Sequence, residues 1–123
     1  MEGRSQVAKM AVSNDFLEYV LDQLAYAGEV IPRKMFGGVG LYLQDIFFAL
    51  IADDILYFKV DDSNRQDYIA SGTGPFRPFA EKSYTMQYYE VPIGVLEDRE
   101  AVSLWAGKAL EVARRKATCR KKT

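Results

Sequence analysis

The sequence predicts an α+β domain built on an antiparallel sheet, in the order α-β(3)-α-β(2)-α, with the first and last helices packed on the sheet. Three observations carry this reading. Long apolar stripes at helical spacing occupy the two ends of the chain, around Phe16–Ala27 and Ala101–Val112. Between them run three apolar segments joined only by Gln44-Asp45 and Asp53-Asp54. Two-residue links force antiparallel neighbours, because a parallel pair needs a long crossover. Strands grouped together, with helices between the groups, mark α+β rather than alternating α/β architecture.

Each element has its own local cause. Residues 1–12 lack periodicity and are expected to be flexible. The first helix starts at Ser13 or Asn14, both good N-caps, with Asp15 and Glu18 suited to the positive end of the helix dipole. Phe16, Val20, Leu21, Leu24 and Ala27 form its apolar stripe. Gly28 stops it, and Pro32 blocks continuation. Three strands follow, near residues 35–43, 46–52 and 55–61. The near-continuous apolar second strand belongs in the middle of the sheet. Ser63 with Gln66 three residues later reads as a capping box. The short helix it opens carries Tyr68 and Ile69 and ends near Gly72. Two further strands are expected near residues 77–80 and 84–91. The last helix begins near Glu97-Asp98. Ala101, Leu104, Trp105, Lys108, Ala109 and Val112 share one side of it, with the Lys108 stem lying along the apolar surface. The predicted core unites Phe16, Leu21, Leu24, Phe48, Leu50, Leu56, Phe58, Leu104 and Trp105.

Composition bounds the function. The 123 residues suffice for one domain with a real core, 8 Tyr and 7 Phe help to fill it, and 49% hydrophobic with 27% charged residues is an ordinary globular balance. No apolar run approaches the roughly 20 residues of a membrane span, and the N-terminus lacks a signal-peptide core. The single cysteine, Cys119, makes no internal disulfide. These features point to the cytoplasm and away from a membrane. Charge is divided unevenly. Arg114, Arg115, Lys116, Arg120, Lys121 and Lys122 account for six of the 16 basic residues, leaving residues 1–113 with 10 basic against 17 acidic groups. The body is acidic and the tail, 116–123 beyond the domain at 13–115, is basic.

With those elements in place, the residues Lys34-Met35-Phe36-Gly37-Gly38-Val39-Gly40-Leu41-Tyr42, Phe48-Ala49-Leu50-Ile51-Ala52-Asp53 and Leu56-Tyr57-Phe58-Lys59-Val60-Asp61 stand out together. Gly74-Pro75-Phe76, Met86-Gln87-Tyr88-Tyr89-Glu90-Val91-Pro92, Leu96-Glu97-Asp98 and Trp105-Ala106 follow in order. On these motifs the chain resembles the N-terminal domain of the TfoX/Sxy competence regulators over roughly residues 14–115. The resemblance implies the same α-β(3)-α-β(2)-α sandwich and a regulatory role through protein contacts in the bacterial cytoplasm, in transcription regulation. It implies no catalytic residues. Two departures stand out. The turn that often carries Asp-Gly in such proteins reads Asp45-Ile46 here, and the second, C-terminal domain of full-length regulators does not follow.

Candidate sites are few. Gly38-Val39-Gly40 begins a dinucleotide fingerprint, but Leu43 replaces the third glycine and no strand-to-helix context surrounds it. Close backbone packing explains these glycines better. The absence of histidine removes the commonest neutral-pH base and the triads that depend on it. Cys119 lies among cations but has no identifiable base. Asp53-Asp54 and Asp61-Asp62 suit turns and caps better than a metal. No catalytic, cofactor or metal residues are therefore expected. Tyr84, Met86 and Tyr88 share one strand face, which if exposed beside Arg77 and Lys82 would stack bases, although tyrosines half-buried in a sheet core with hydroxyls at the edge are commoner. Arg114, Arg115, Lys116, Arg120, Lys121 and Lys122 are the nucleic-acid candidates, for weak backbone contact. The leading expectation is a non-catalytic protein-interaction domain with a protein partner. The second is a nucleic-acid-binding module using tail and tyrosine face, and an enzyme is third. Dimerisation is left open by the sequence.

Overall fold

In the computed structural model the described residues are 12–35, 38–75 and 87–122. They form an α+β domain with one five-stranded antiparallel sheet in the order β1-β2-β3-β4-β5, where β1 is Ile31–Met35, β2 Gly38–Leu43, β3 Ile46–Ala52, β4 Ile55–Lys59 and β5 Tyr88–Glu90. The helices are α1 (Asn14–Gln23, continued by a 3-10 turn at Leu24–Ala27), α2 (Arg65–Ala70), α3 (Ile93–Leu96) and α4 (Arg99–Lys122). α4 packs on β3 and β4, and against the 3-10 turn after α1. The expected strand at 77–80 and the tyrosine Tyr84 with Met86 lie outside the described residues.

The helix ends form as the local chemistry dictates. Ser13 caps α1, its Oγ accepting the Phe16 amide at 3.1 Å. Gly28 ends the 3-10 turn at φ 136°, a left-handed value that suits glycine. Asp98 Oδ1 accepts the amides of Glu100 and Ala101 at 3.0 and 3.1 Å and so caps α4. The capping box at Ser63 is not formed. Ser63 instead donates its amide and hydroxyl to Asp61 Oδ1 at 2.8 and 2.6 Å. Asn64 precedes α2, and its buried side chain ties down the end of β4 rather than the helix, accepting the Asp61 amide and donating to the Lys59 carbonyl.

Two corrections concern the strands and the last helix. The expected strand at 35–43 is β2, which begins at Gly38, and it is joined by an unexpected strand, β1, with Pro32 inside it. Proline is tolerated there because β1 is the edge strand, where a missing N–H breaks no central ladder. On α4 the buried side is Val102, Ala106, Ala109, Val112 and Ala113, while Leu104 is 70% exposed and Trp105 is only partly buried. The small alanines let the helix approach the sheet closely, which rotates Leu104 out to solvent. Leu50 is likewise half-buried rather than central to the core.

The register sorts the sheet residues by face. Val39, Leu41, Ala49, Ile51, Leu56, Phe58 and Tyr89 are aligned across the strands and all buried, so they form the helix-covered face. A β-bulge interrupts β2–β3, since Leu41 pairs Ala49 but Tyr42 pairs Phe47. Phe48 is the extra residue, and it reaches the core, with its ring 5.9 Å from that of Phe58. The bulge turns Phe47 to the opposite face, beside Tyr42.

Candidate interaction surface

The face of the sheet turned away from the helices carries a row of rings contributed by three strands. Tyr42 stacks on Phe47 at 5.3 Å between centroids, and Phe47 meets Tyr88 at 5.7 Å. A cation lies over each end of the row. The Arg33 guanidinium is 5.1 Å from the centre of the Tyr42 ring, and Lys59 Nζ is 4.9 Å from that of Tyr88. Lys59 also donates to Gln87 Oε1 at 2.7 Å. Ile31, the register partner of Tyr42, is 43% exposed on the same face.

Charge on this face is mixed. The Tyr57 hydroxyl is pushed up to about 12, first by burial and then by the negative charges of Glu90 and Asp53. One corner of the face is thus cationic, and the region around Tyr57 is acidic.

Both sheet edges are managed. On β1, Pro32 removes a donor and Arg33 and Lys34 place charge on the edge. On β5, the Glu90 amide donates to the Gly74 carbonyl at 3.0 Å, and Pro75 bridges Tyr89.

The basic residues predicted for nucleic acid are divided. Arg114 donates to Gln44 Oε1 at 2.6 Å and lies 3.6 Å from Glu111. Arg115 bonds Asp61 Oδ2 at 3.2 Å and Ser63 Oγ at 3.1 Å. Both latch α4 to the body. The backbone continues as helix through Lys116 to Lys122; the side chains of Cys119, Arg120, Lys121 and Lys122 lie outside the described residues. α4 packs on the covered face, so its described residues Arg114 and Arg115 reach the body from the helix layer, while the aromatic row lies on the other face of the sheet. Tyr88, from the expected tyrosine face, stands in the aromatic row, while Tyr89 on the other face of β5 is buried against Tyr68, their centroids 5.8 Å apart. The glycine reading is supported at Gly38, where a Cβ would fall 2.5 Å from the Ile51 carbonyl oxygen. Among the described residues no cluster of three or more Cys, Asp or Glu is placed to hold a metal, and no helix is long and apolar enough to cross a membrane.

Sequence reasoning missed Arg33, Tyr42 and Phe47 as partners. The signal was present only as an alternation in the first apolar block, without the pairing that joins it to the others.

Taken together, these features define a small α+β domain with helices on one sheet face and a cation-flanked aromatic row on the other. The sequence matches the model of the TfoX N-terminal domain over residues 22–113, most of its length, and the chain belongs to that family. No curated protein matches it.

Proposed function

We propose that this chain is a non-catalytic regulatory domain of the TfoX type, acting through protein contacts in the bacterial cytoplasm and in transcription regulation. The observation that carries the reading is the exposed corner formed by Ile31 and Arg33 beside Tyr42 and Phe47. Apolar rings and a stacked arginine at the surface suit a protein partner, since aromatic and arginine side chains anchor such interfaces. Membership of the TfoX N-terminal family supports the regulatory part. The nucleic-acid reading draws its support from the basic run of α4 alone, because that helix covers the face of the sheet opposite the aromatic row.

Affinity capture from native lysate, with and without nuclease, tests this. Specific partners that survive nuclease are the expected result. Partners lost on nuclease treatment would move the function to nucleic acid.

A further inference from the structure

Arg33 stands apart from most of the described cations. Arg65, Arg99, Lys108, Arg114 and Arg115 each pair with a carboxylate. Arg33, in a chain with 17 acidic residues, pairs with none among the described residues. It stacks on Tyr42 instead. Stacking occupies the flat face of the guanidinium and leaves its in-plane N–H donors free, in a fork that matches a carboxylate. The ring also limits the motion of the side chain, so less freedom is lost when a ligand binds.

The surroundings select the kind of ligand. Ile31 and the Tyr42–Phe47 stack supply apolar area next to the fork. Pro32 has no N–H to offer an added strand, so recognition at this edge falls to side chains. A phosphate backbone carries charge along its whole length and would meet the negative field of Glu90 and Asp53 farther along the same face. A lone carboxylate at Arg33 would not.

We propose that the corner formed by Ile31, Arg33, Tyr42 and Phe47 docks an acidic, aliphatic segment of a partner protein. Arg33 holds one carboxylate, and a neighbouring aliphatic side chain covers Ile31 and Tyr42. This rests on the protein-interaction reading above and names its site and the partner's chemistry.

The test is a titration of the isotope-labelled full chain, followed by amide NMR, with three probes. These are an end-capped synthetic peptide alternating leucine and aspartate, its leucine–lysine counterpart, and a short oligothymidylate. Saturable shifts at Ile31, Arg33, Leu41, Tyr42 and Phe47 are expected with the acidic peptide alone. Arg33→Glu should weaken that binding by about tenfold or more, the scale of one charge-assisted contact, and Arg33→Lys should retain part of it. Arg33 is exposed, so both variants should keep the parent spectrum elsewhere. Absence of saturable shifts, shifts at another surface, an equal response to the lysine peptide, or preference for the oligonucleotide would each overturn the proposal. Capture reads the broader role separately. Nuclease-resistant partners still held by Arg33→Glu would leave the interaction role standing and remove this corner from it.

Discussion

The carbonyl oxygen of Ile51 occupies the space that a side chain at position 38 would need, 2.5 Å from where the Cβ of Gly38 would be. That oxygen is backbone in the central strand and cannot rotate away. Gly38→Ala should therefore push β2 from β3 and destabilise by about 3 kcal/mol, the upper part of the usual overpacking range. Gly107 is the control. It is exposed within α4, and nothing lies within 4 Å of a Cβ added there. Gly107→Ala should stabilise by about 0.5–1 kcal/mol. Urea midpoints should move in opposite directions, and an unmoved midpoint for Gly38→Ala would remove the close approach as the reason for this glycine.

The β2–β3 and β3–β4 turns invite a second comparison. Gln44 and Asp45 have φ of 55° and 66°, and Asp53 and Asp54 have 55° and 56°. Positive φ at both central residues is the type I′ pattern, which favours Asn-Gly. Asp45→Gly should relieve left-handed strain and raise stability by up to about 1 kcal/mol. Asp54→Gly should give no such gain, because Asp54 Oδ1 accepts the Ser13 amide at 2.7 Å and fastens the start of α1. Thermal melts of the two variants decide it: equal gains would show that the Ser13 contact contributes nothing.

Gln23 joins three helices from a buried position. Its Nε2 donates to the Leu96 carbonyl at 2.8 Å, and its Oε1 accepts from Arg99 Nε at 3.2 Å. Gln23→Ala leaves that carbonyl without its partner, so a loss of about 1–3 kcal/mol is expected. Gln23→Glu keeps the acceptor for Arg99 but turns a charge toward the carbonyl, and should be no better tolerated. A neutral result in denaturant titration for both would show that water replaces the amide.

How much of this was legible depended on distance along the chain. Ser13, Val20, Leu24 and Gly28 could be read because caps and helical stripes are local. The face of α4 could not, because Val102, Leu104, Trp105 and Ala106 offer apolar side chains in several directions. Close approach chose the alanines. Pro32 hid β1, since its tolerance depends on being at the edge, which is a property of the finished sheet. The aromatic row needed the bulge at Phe48 to turn Phe47 toward Tyr42. Arg33 gained its meaning only from where carboxylates are absent.

Acid should act through Asp61. Burial pushes its carboxyl up, but hydrogen bonds from the Ser63 hydroxyl and amide and from Arg115 more than offset this and hold it below the ordinary 3.8. The native state thus keeps the charge to lower pH than the unfolded chain does. Its contribution is complete above the unfolded value and is lost as pH falls through the depressed native one. Asp61→Asn should lower stability at neutral pH and flatten the acid limb below about pH 4. An unchanged acid limb would mean that other carboxylates control it.

The alkaline side has the opposite sign. Burial raises Tyr68 strongly, with Asp67 adding to the effect, and raises Tyr57 to about 12. Both favour the neutral phenol in the folded protein. The unfolded chain releases these protons near the ordinary 10.0, so their contribution is present below that value and declines as pH rises through the native ones. Tyr57 and Tyr68 should therefore give up their protons only well above the ordinary value or on unfolding, as read by tyrosinate absorbance. Tyr57→Phe should remove part of the absorbance that appears above the ordinary value. Ionisation of Tyr57 and Tyr68 near the ordinary value, shown by the loss of absorbance there in Tyr57→Phe and Tyr68→Phe variants still folded by circular dichroism, would contradict the raised values.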